Sequence, residues 1–194
     1  MTDADQEYEK QSITDLAKGL SRLPAGKRRA AIEASASIAG VSLKASRAFV
    51  AAAADAAKIL SADDLRAWAD FGRRLAMGKA ETGMRFFAEG AASLKAVPSP
   101  LRRLVFDIAS RQLVLSSSVA AETFTLVPDL AKRVKDKELL ERFLRLAVHV
   151  AMRSAKHSSI LLKASPDVAD VFQRFGSERG PVVDAAFALA ENFA

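Results

Sequence analysis

Histidine is the first side chain to weigh for chemistry, because its ring titrates near neutral pH and is a common metal ligand. The chain holds two, His149 and His157, eight residues apart. A two-histidine site needs a further carboxylate or imidazole, and the helix expected to carry His149 offers only Glu141. Ser116-Ser117-Ser118 could present a nucleophile, but the pattern sets no base beside it. A serine capping a helix N-terminus accounts for the run. Asp63-Asp64 and Glu138 stand just ahead of expected helices, where carboxylates suit the helix dipole; they do not form an inward-facing acid pair. No GxGxxG, Walker-type phosphate loop, HExxH or GxSxG occurs. Without cysteine there is no thiolate metal site, cysteine nucleophile or disulfide framework. These residues point away from an enzyme, and no catalytic, cofactor or metal residue is expected.

Basic residues form the one pattern that could bind. Arg29, Arg66 and Arg103 recur at 37-residue intervals, and Glu141 takes the place of a fourth. Lys27, Arg28, Arg102 and Arg142 thicken this row, while Arg74, Arg111 and His149 make a second. Cations at the start of a helix oppose its dipole, so helix stabilisation does not explain the first row. Solvated arginines on a helix edge are the plain reading. The functional reading is a binding stripe for an acidic protein or a phosphate backbone. Aromatics do not interleave with the basic residues, which argues against single-strand binding.

The elements that must position these residues are helical. Of 194 residues half are apolar, with alanine the commonest among them and 11 Phe but one Trp and one Tyr. That composition favours helix over strand. Formal charge is +6, from 29 basic and 23 acidic residues, so the surface is mixed with a modest basic excess. Such an excess permits an acidic protein, nucleic acid or membrane surface as partner. The opening MTDADQEYEKQ lacks a signal-peptide layout. No apolar run reaches the roughly 18 residues of a spanning helix; the longest candidate, 48–57, is broken by Asp55. A cytoplasmic location is expected.

Internal similarity sets the architecture. Val127-Pro128-Asp129-Leu130-Ala131-Lys132 matches Ser165-Pro166-Asp167-Val168-Ala169-Asp170 at an offset of 38 and Ala53-Ala54-Asp55-Ala56-Ala57-Lys58 at twice 37. The same offsets align Val50, Phe87, Phe124 and Leu162; Leu60, Val97, Val134 and Phe172; and Ala34, Phe71, Ile108 and Leu146. The expectation is an all-α protein, an α-solenoid of about four helix–turn–helix repeats of 37–38 residues, near 27–61, 62–98, 99–136 and 137–176. A first helix is expected at 27–41, 64–77, 101–114 and 139–152. A second begins near Ser42, Lys79, Ser116 and Ser154, three of which are capping serines. A small-residue column, Ser46, Gly83, Ala120 and Ser158, should let paired helices approach closely. Pro128 and Pro166 are expected to split the second helices, leaving tails through Val134 and Phe172 as short separate helices.

At the start, 1–23 reads as a polar tail and an amphipathic capping helix with Tyr8, Ile13, Leu16, Leu20 and Leu23 on one side. At the other end, 181–194 reads as the first helix of a partial fifth unit, with Val183, Phe187, Ala190 and Phe193 on one face. A solenoid normally closes with a polar face, so the unfinished fifth unit is expected either to be the cap or to lead into a longer protein.

Trp68-x-x-x-Gly72-x-x-Leu75-Ala76, then Phe86-Phe87 and Leu162-Lys163-Ala164-Ser165-Pro166-Asp167-Val168, resembles the helical-repeat region of large bacterial proteins with a von Willebrand factor A domain, the NorD-like group. The resemblance covers residues 60–190 and is also similar in outline to HEAT and armadillo repeats. It implies an adaptor that works with a MoxR-type AAA+ ATPase to activate metalloenzymes. The metal motif of that group belongs to its von Willebrand domain and is absent here. The expected function is a non-enzymatic interaction scaffold with a protein partner, an acidic surface being favoured. The alternative is a HEAT-like nucleic-acid-binding protein using the Arg29, Arg66, Arg103, Arg74 and Arg111 stripe.

Overall fold

The structure is a computed structural model that describes residue 14 and residues 17–21, 23–175 and 179–193. The described residues are almost wholly helical and contain no strand. They form α1 (Ala25–Ala39), α2 (Leu43–Ile59), α3 (Ala62–Gly78), α4 (Ala80–Ser93), α5 (Arg102–Leu115), α6 (Ser117–Arg133), α7 (Lys137–Ala151), α8 (Ala155–Gln173) and α9 (Arg179–Phe193). Two single turns of 3-10 helix, Leu94–Ala96 and Ser99–Leu101, lie between α4 and α5. The chain divides into two compact units, 1–92 and 93–194.

The helix starts follow local chemistry. Ser42, Ser116 and Ser154 are extended residues whose hydroxyls accept from the amides of Ala45, Val119 and His157. Each satisfies one donor that the first turn leaves free. Lys79, the expected fourth start, is also extended, and its carbonyl accepts from Thr82 and Gly83 as α4 begins. The first helices of the pairs begin at Ala25, Ala62, Arg102 and Lys137, up to two residues from the expected starts. Ser61 and Asp64 close a capping box at α3, and Asp136 caps α7 through the amides of Glu138 and Leu139. Asp63, Asp64 and Glu138 thus sit inside first turns, not ahead of them.

The split of the second helices at proline does not occur. Pro128 lies inside a continuous α6, and Pro166 inside a continuous α8. A mid-helix proline costs about 3 kcal/mol. Continuing the helix buries Leu130 after Pro128, and Ala169 and Phe172 after Pro166, and full burial of one large apolar side chain contributes about 1.5–3 kcal/mol. The tails are also tied together, since Arg133 reaches Asp167 at 2.9 Å and Asp170 at 3.2 Å. The break falls instead after Ser93, where Pro98 and Pro100 follow within a few residues and no long helix can run on. Leu60, Val97, Val134 and Phe172 are all buried, as their shared column requires.

In unit 1, α1 packs on α2 and α3, and α2 on α3. Ser46 Oγ donates to the Ser35 carbonyl at 3.0 Å, and the two hydroxyls lie 3.1 Å apart. Phe86 and Phe87 of α4 fold onto Trp68, Phe71 and Phe49 at centroid distances of 5.0–6.4 Å. A Cβ on Gly83 would fall 2.7 Å from Ala76 Cβ and 3.0 Å from the Gly72 carbonyl, so glycine is what allows α3 and α4 to meet there. Residues 17–21 are helical and Leu23 is buried; Tyr8, Ile13 and Leu16 of the expected capping helix lie outside the described residues.

In unit 2, α5 packs on α6 and α7, α6 on α8, and α7 on α8. Gln112 donates to Ser158 at 3.3 Å and accepts from Thr123 at 2.5 Å, while Ser158 donates to the Ala147 carbonyl at 3.0 Å. These groups come from the last two turns of α5 and α7 and the first two turns of α6 and α8. The two hairpins therefore lie side by side in the same sense, with the short turns at Ser116 and 152–154 at one end. α9 packs on α7 and α8 and buries Val183 and Phe187. Ala190 is half-buried, and the side chain of Phe193 is outside the described residues.

Candidate binding surface

The two basic rows differ in what surrounds them. Every arginine of the first row closes an ion pair on its own helix. Arg29 meets Glu33 at 2.8 Å on α1, Arg66 meets Asp63 at 2.9 Å on α3, and Arg103 meets Asp107 at 3.3 Å on α5. The hydrogen bond from Arg29, then the charges of Arg29 and Arg66, hold the Glu33 carboxyl below the usual carboxylate range. On α7 the signs reverse, with Glu141 paired to Arg145 at 2.6 Å. The signal was present in the sequence: four residues on from Arg29, Arg103 and Glu141 stand Glu33, Asp107 and Arg145, and three before Arg66 stands Asp63. The arginine row is one half of a charge-pair row at helical spacing.

The residues that thicken this row also have structural work. Lys27 donates to the carbonyls of Ala57 and Leu60 at the end of α2, where a cation suits the helix dipole. Arg28 reaches the Ser21 and Leu23 carbonyls, and Arg102 those of Leu94 and Val97. Arg142 pairs with Asp184 at 2.6 Å and lies over the Phe187 ring.

Two shallow grooves follow the seams between first helices. One, of about 180 Å³, lies between α1 and α3 of unit 1 and is edged by Glu33, Arg66, Asp70 and Arg73. The other, of about 280 Å³, lies between the starts of α7 and α9 in unit 2 and is edged by Asp136, Arg142, Arg179 and Asp184. Both carry paired charges of each sign. Arg179 meets Asp136 at 2.6 Å, and Arg73 meets Asp70 at 2.9 Å. Asp136 is held below the ordinary carboxylate range by the Leu139 amide first and by Arg179 beside it.

The second row is different. Arg74 and Arg111 are half-buried and make no ion pair among the described residues, and His149 is exposed. His149 and His157 flank the α7–α8 turn, and no group of three His, Asp or Glu suited to a metal occurs among the described residues. Ser116, first of the serine run, is spent on the helix cap and lies 3.1 Å from the Ser118 hydroxyl. Ser158 was expected only as a small residue at a helix contact, and Gln112 and Thr123 were not singled out by sequence reasoning; a polar residue in an apolar column, Gln112 against Ile38 and Leu75, was the available sign.

These features define an all-α protein of packed helix pairs whose grooves are lined by mutually paired charges. No family model, curated protein or solved structure matches the chain.

Proposed function

We propose that the chain is an α-solenoid of HEAT or armadillo type that serves as a non-enzymatic scaffold for another protein. The observation that carries this reading is the parallel stacking of the α5–α6 and α7–α8 hairpins, tied at one end by Gln112, Thr123 and Ser158 and at the other by Arg133 with Asp167 and Asp170. Stacked hairpins set equivalent residues side by side, and extended binding faces arise from such repetition. The two charge-edged grooves supply ordered donors and acceptors of both signs, which favours a protein partner of matching charge pattern over a uniformly anionic polymer.

The resemblance to NorD-like proteins supports a narrower form, in which the partner is a MoxR-type AAA+ ATPase and the assembly activates a metalloenzyme. The test is to mix the purified chain with a MoxR-type ATPase and measure mass by light scattering after size exclusion. A defined complex that weakens on Arg73→Glu, at the edge of the α1–α3 groove, is expected. Separate elution at all concentrations would remove the narrower form. Cross-linking of the chain in cells tests the scaffold itself, which fails if no protein cross-links to either groove. The nucleic-acid alternative requires salt-dependent binding lost on Arg66→Glu with Arg103→Glu; both arginines are already paired with carboxylates.

A further inference from the structure

We propose that the end of unit 2 formed by the α5–α6 and α7–α8 turns docks on an anionic phospholipid surface. This goes beyond the scaffold reading and does not depend on it.

Three large apolar side chains stand on these turns and are mostly in solvent. Val114 and Leu115 end α5 with 76% and 56% of their surface exposed, and Met152 follows α7 at 61%. They sit on the tips of helical hairpins and not along a groove. Scattered exposed apolar residues need no explanation, but these three share one end. The Gln112–Ser158 hydrogen bond, one turn below, fixes that neighbourhood.

The charge at this end is of one sign in α5 to α8. No Asp or Glu occurs between Asp107 and Glu122, or between Glu141 and Asp167. Arg111 lies one helical turn before Val114 and Leu115 on the same face, and Arg153 and Lys156 follow Met152 one and four residues on. None of the three makes an ion pair among the described residues. α9 runs beside α7 in the same sense, because Arg179 reaches Asp136 and Asp184 reaches Arg142. It therefore brings one carboxylate, Glu191, toward this end.

The opposite end of the same unit is the internal contrast. There Asp129 pairs with Lys132, Arg133 with Asp167 and Asp170, and Asp136 with Arg179. At that end both signs are present and several of the charges pair, although Lys135, Lys137 and Arg174 do not among the described residues; at the turn end α5 to α8 supply cations alone. Aliphatic tips with cations close by in the chain match an anionic bilayer, whose interior takes the apolar groups while its headgroups take the charge. Protein-binding hot spots favour Trp, Tyr and Arg in a packed pocket, and the apolar residues at these tips are aliphatic, with no Trp or Tyr between 109 and 160.

The experiment is cosedimentation of the purified chain with vesicles of phosphatidylcholine alone and of phosphatidylcholine and phosphatidylserine in equal parts. Binding to the mixed vesicles only, falling as salt rises, is expected. Arg153→Gln and Lys156→Gln should each weaken it about fivefold. Leu115→Ser with Met152→Ser should weaken it further, while Lys132→Gln at the opposite end should leave it unchanged. All five positions are exposed, and circular dichroism checks that each variant keeps its helices. Absence of binding to the mixed vesicles, equal binding to both kinds, or indifference to Arg153→Gln and Lys156→Gln would each overturn the proposal. A turn end that binds an acidic protein but no vesicle would do the same.

Discussion

Where α3 of unit 1 carries Leu75, α5 of unit 2 carries Gln112 at the equivalent position; where α4 carries Phe86, α6 carries Thr123. All four are buried. Unit 1 fills this level of its interior with the rings of Phe49, Trp68, Phe71, Phe86 and Phe87, and unit 2 fills it with a hydrogen-bonded chain through Gln112, Thr123 and Ser158. One plan of paired helices thus accepts two core chemistries with different weaknesses. The aromatic cluster depends on space: a Cβ on Gly72 would fall 2.2 Å from the Phe87 ring. The polar chain depends on completeness, because a buried donor or acceptor left alone costs about 1–3 kcal/mol.

The sharpest way to break the contrast is at Phe87. Phe87→Ala should destabilise unit 1 by about 3–5 kcal/mol, the range for emptying a buried aromatic site, read by chemical denaturation. Gly72→Ala attacks the same contact from the other side and should cost about 1–3 kcal/mol by overpacking. Adding Phe87→Leu to Gly72→Ala should return part of that loss. Strict additivity of the two changes would show that the notch and the ring are not coupled.

In unit 2 the expected response is the opposite of a space problem. Gln112→Leu leaves Thr123 without its acceptor and should cost about 1–2 kcal/mol. Combining it with Thr123→Val should restore stability to the parental level or above, since removing both partners removes the unmet hydrogen bond. A double variant less stable than the single one would mean that Gln112 matters for its shape.

Asp136 offers a smaller test at the start of α7. Asp136→Ala should cost about 1 kcal/mol through the lost cap, and Asp136→Asn much less, because asparagine caps as well as aspartate. Its carboxyl is held below the ordinary range, first by the Leu139 amide and then by Arg179. The folded state therefore binds this proton more weakly than the unfolded chain. The resulting stability is complete above the ordinary carboxylate range and is lost as pH falls through the depressed value. A thermal melt series in acid should show a shallower loss for Asp136→Asn than for the parent. Smallest of all is Arg133→Gln, which removes an exposed pair of ion bridges. It should lower the melting temperature slightly in dilute buffer and not at all in high salt.

What the sequence determined by itself is what depends on neighbours a few residues apart. Serines at Ser42, Ser116 and Ser154 cap helices because a hydroxyl needs only the amide three residues on. The buried columns through Leu60, Val97, Val134 and Phe172 follow from the helical period. The pairing of Arg29 with Glu33 obeys the same period and was legible, although the row reads as a free stripe when arginines alone are counted. Tertiary structure decided the rest. The helices run through Pro128 and Pro166 because distant surfaces bury their tails, a gain no local rule contains. The hydrogen bond from Gln112 to Ser158 joins residues 46 positions apart. Exposure at Val114, Leu115 and Met152 likewise depends on which end of each helix the neighbouring hairpin covers. Local hydrogen bonding and periodicity write the helices; long-range burial settles where they end, which polar groups are satisfied and which apolar ones are left in water.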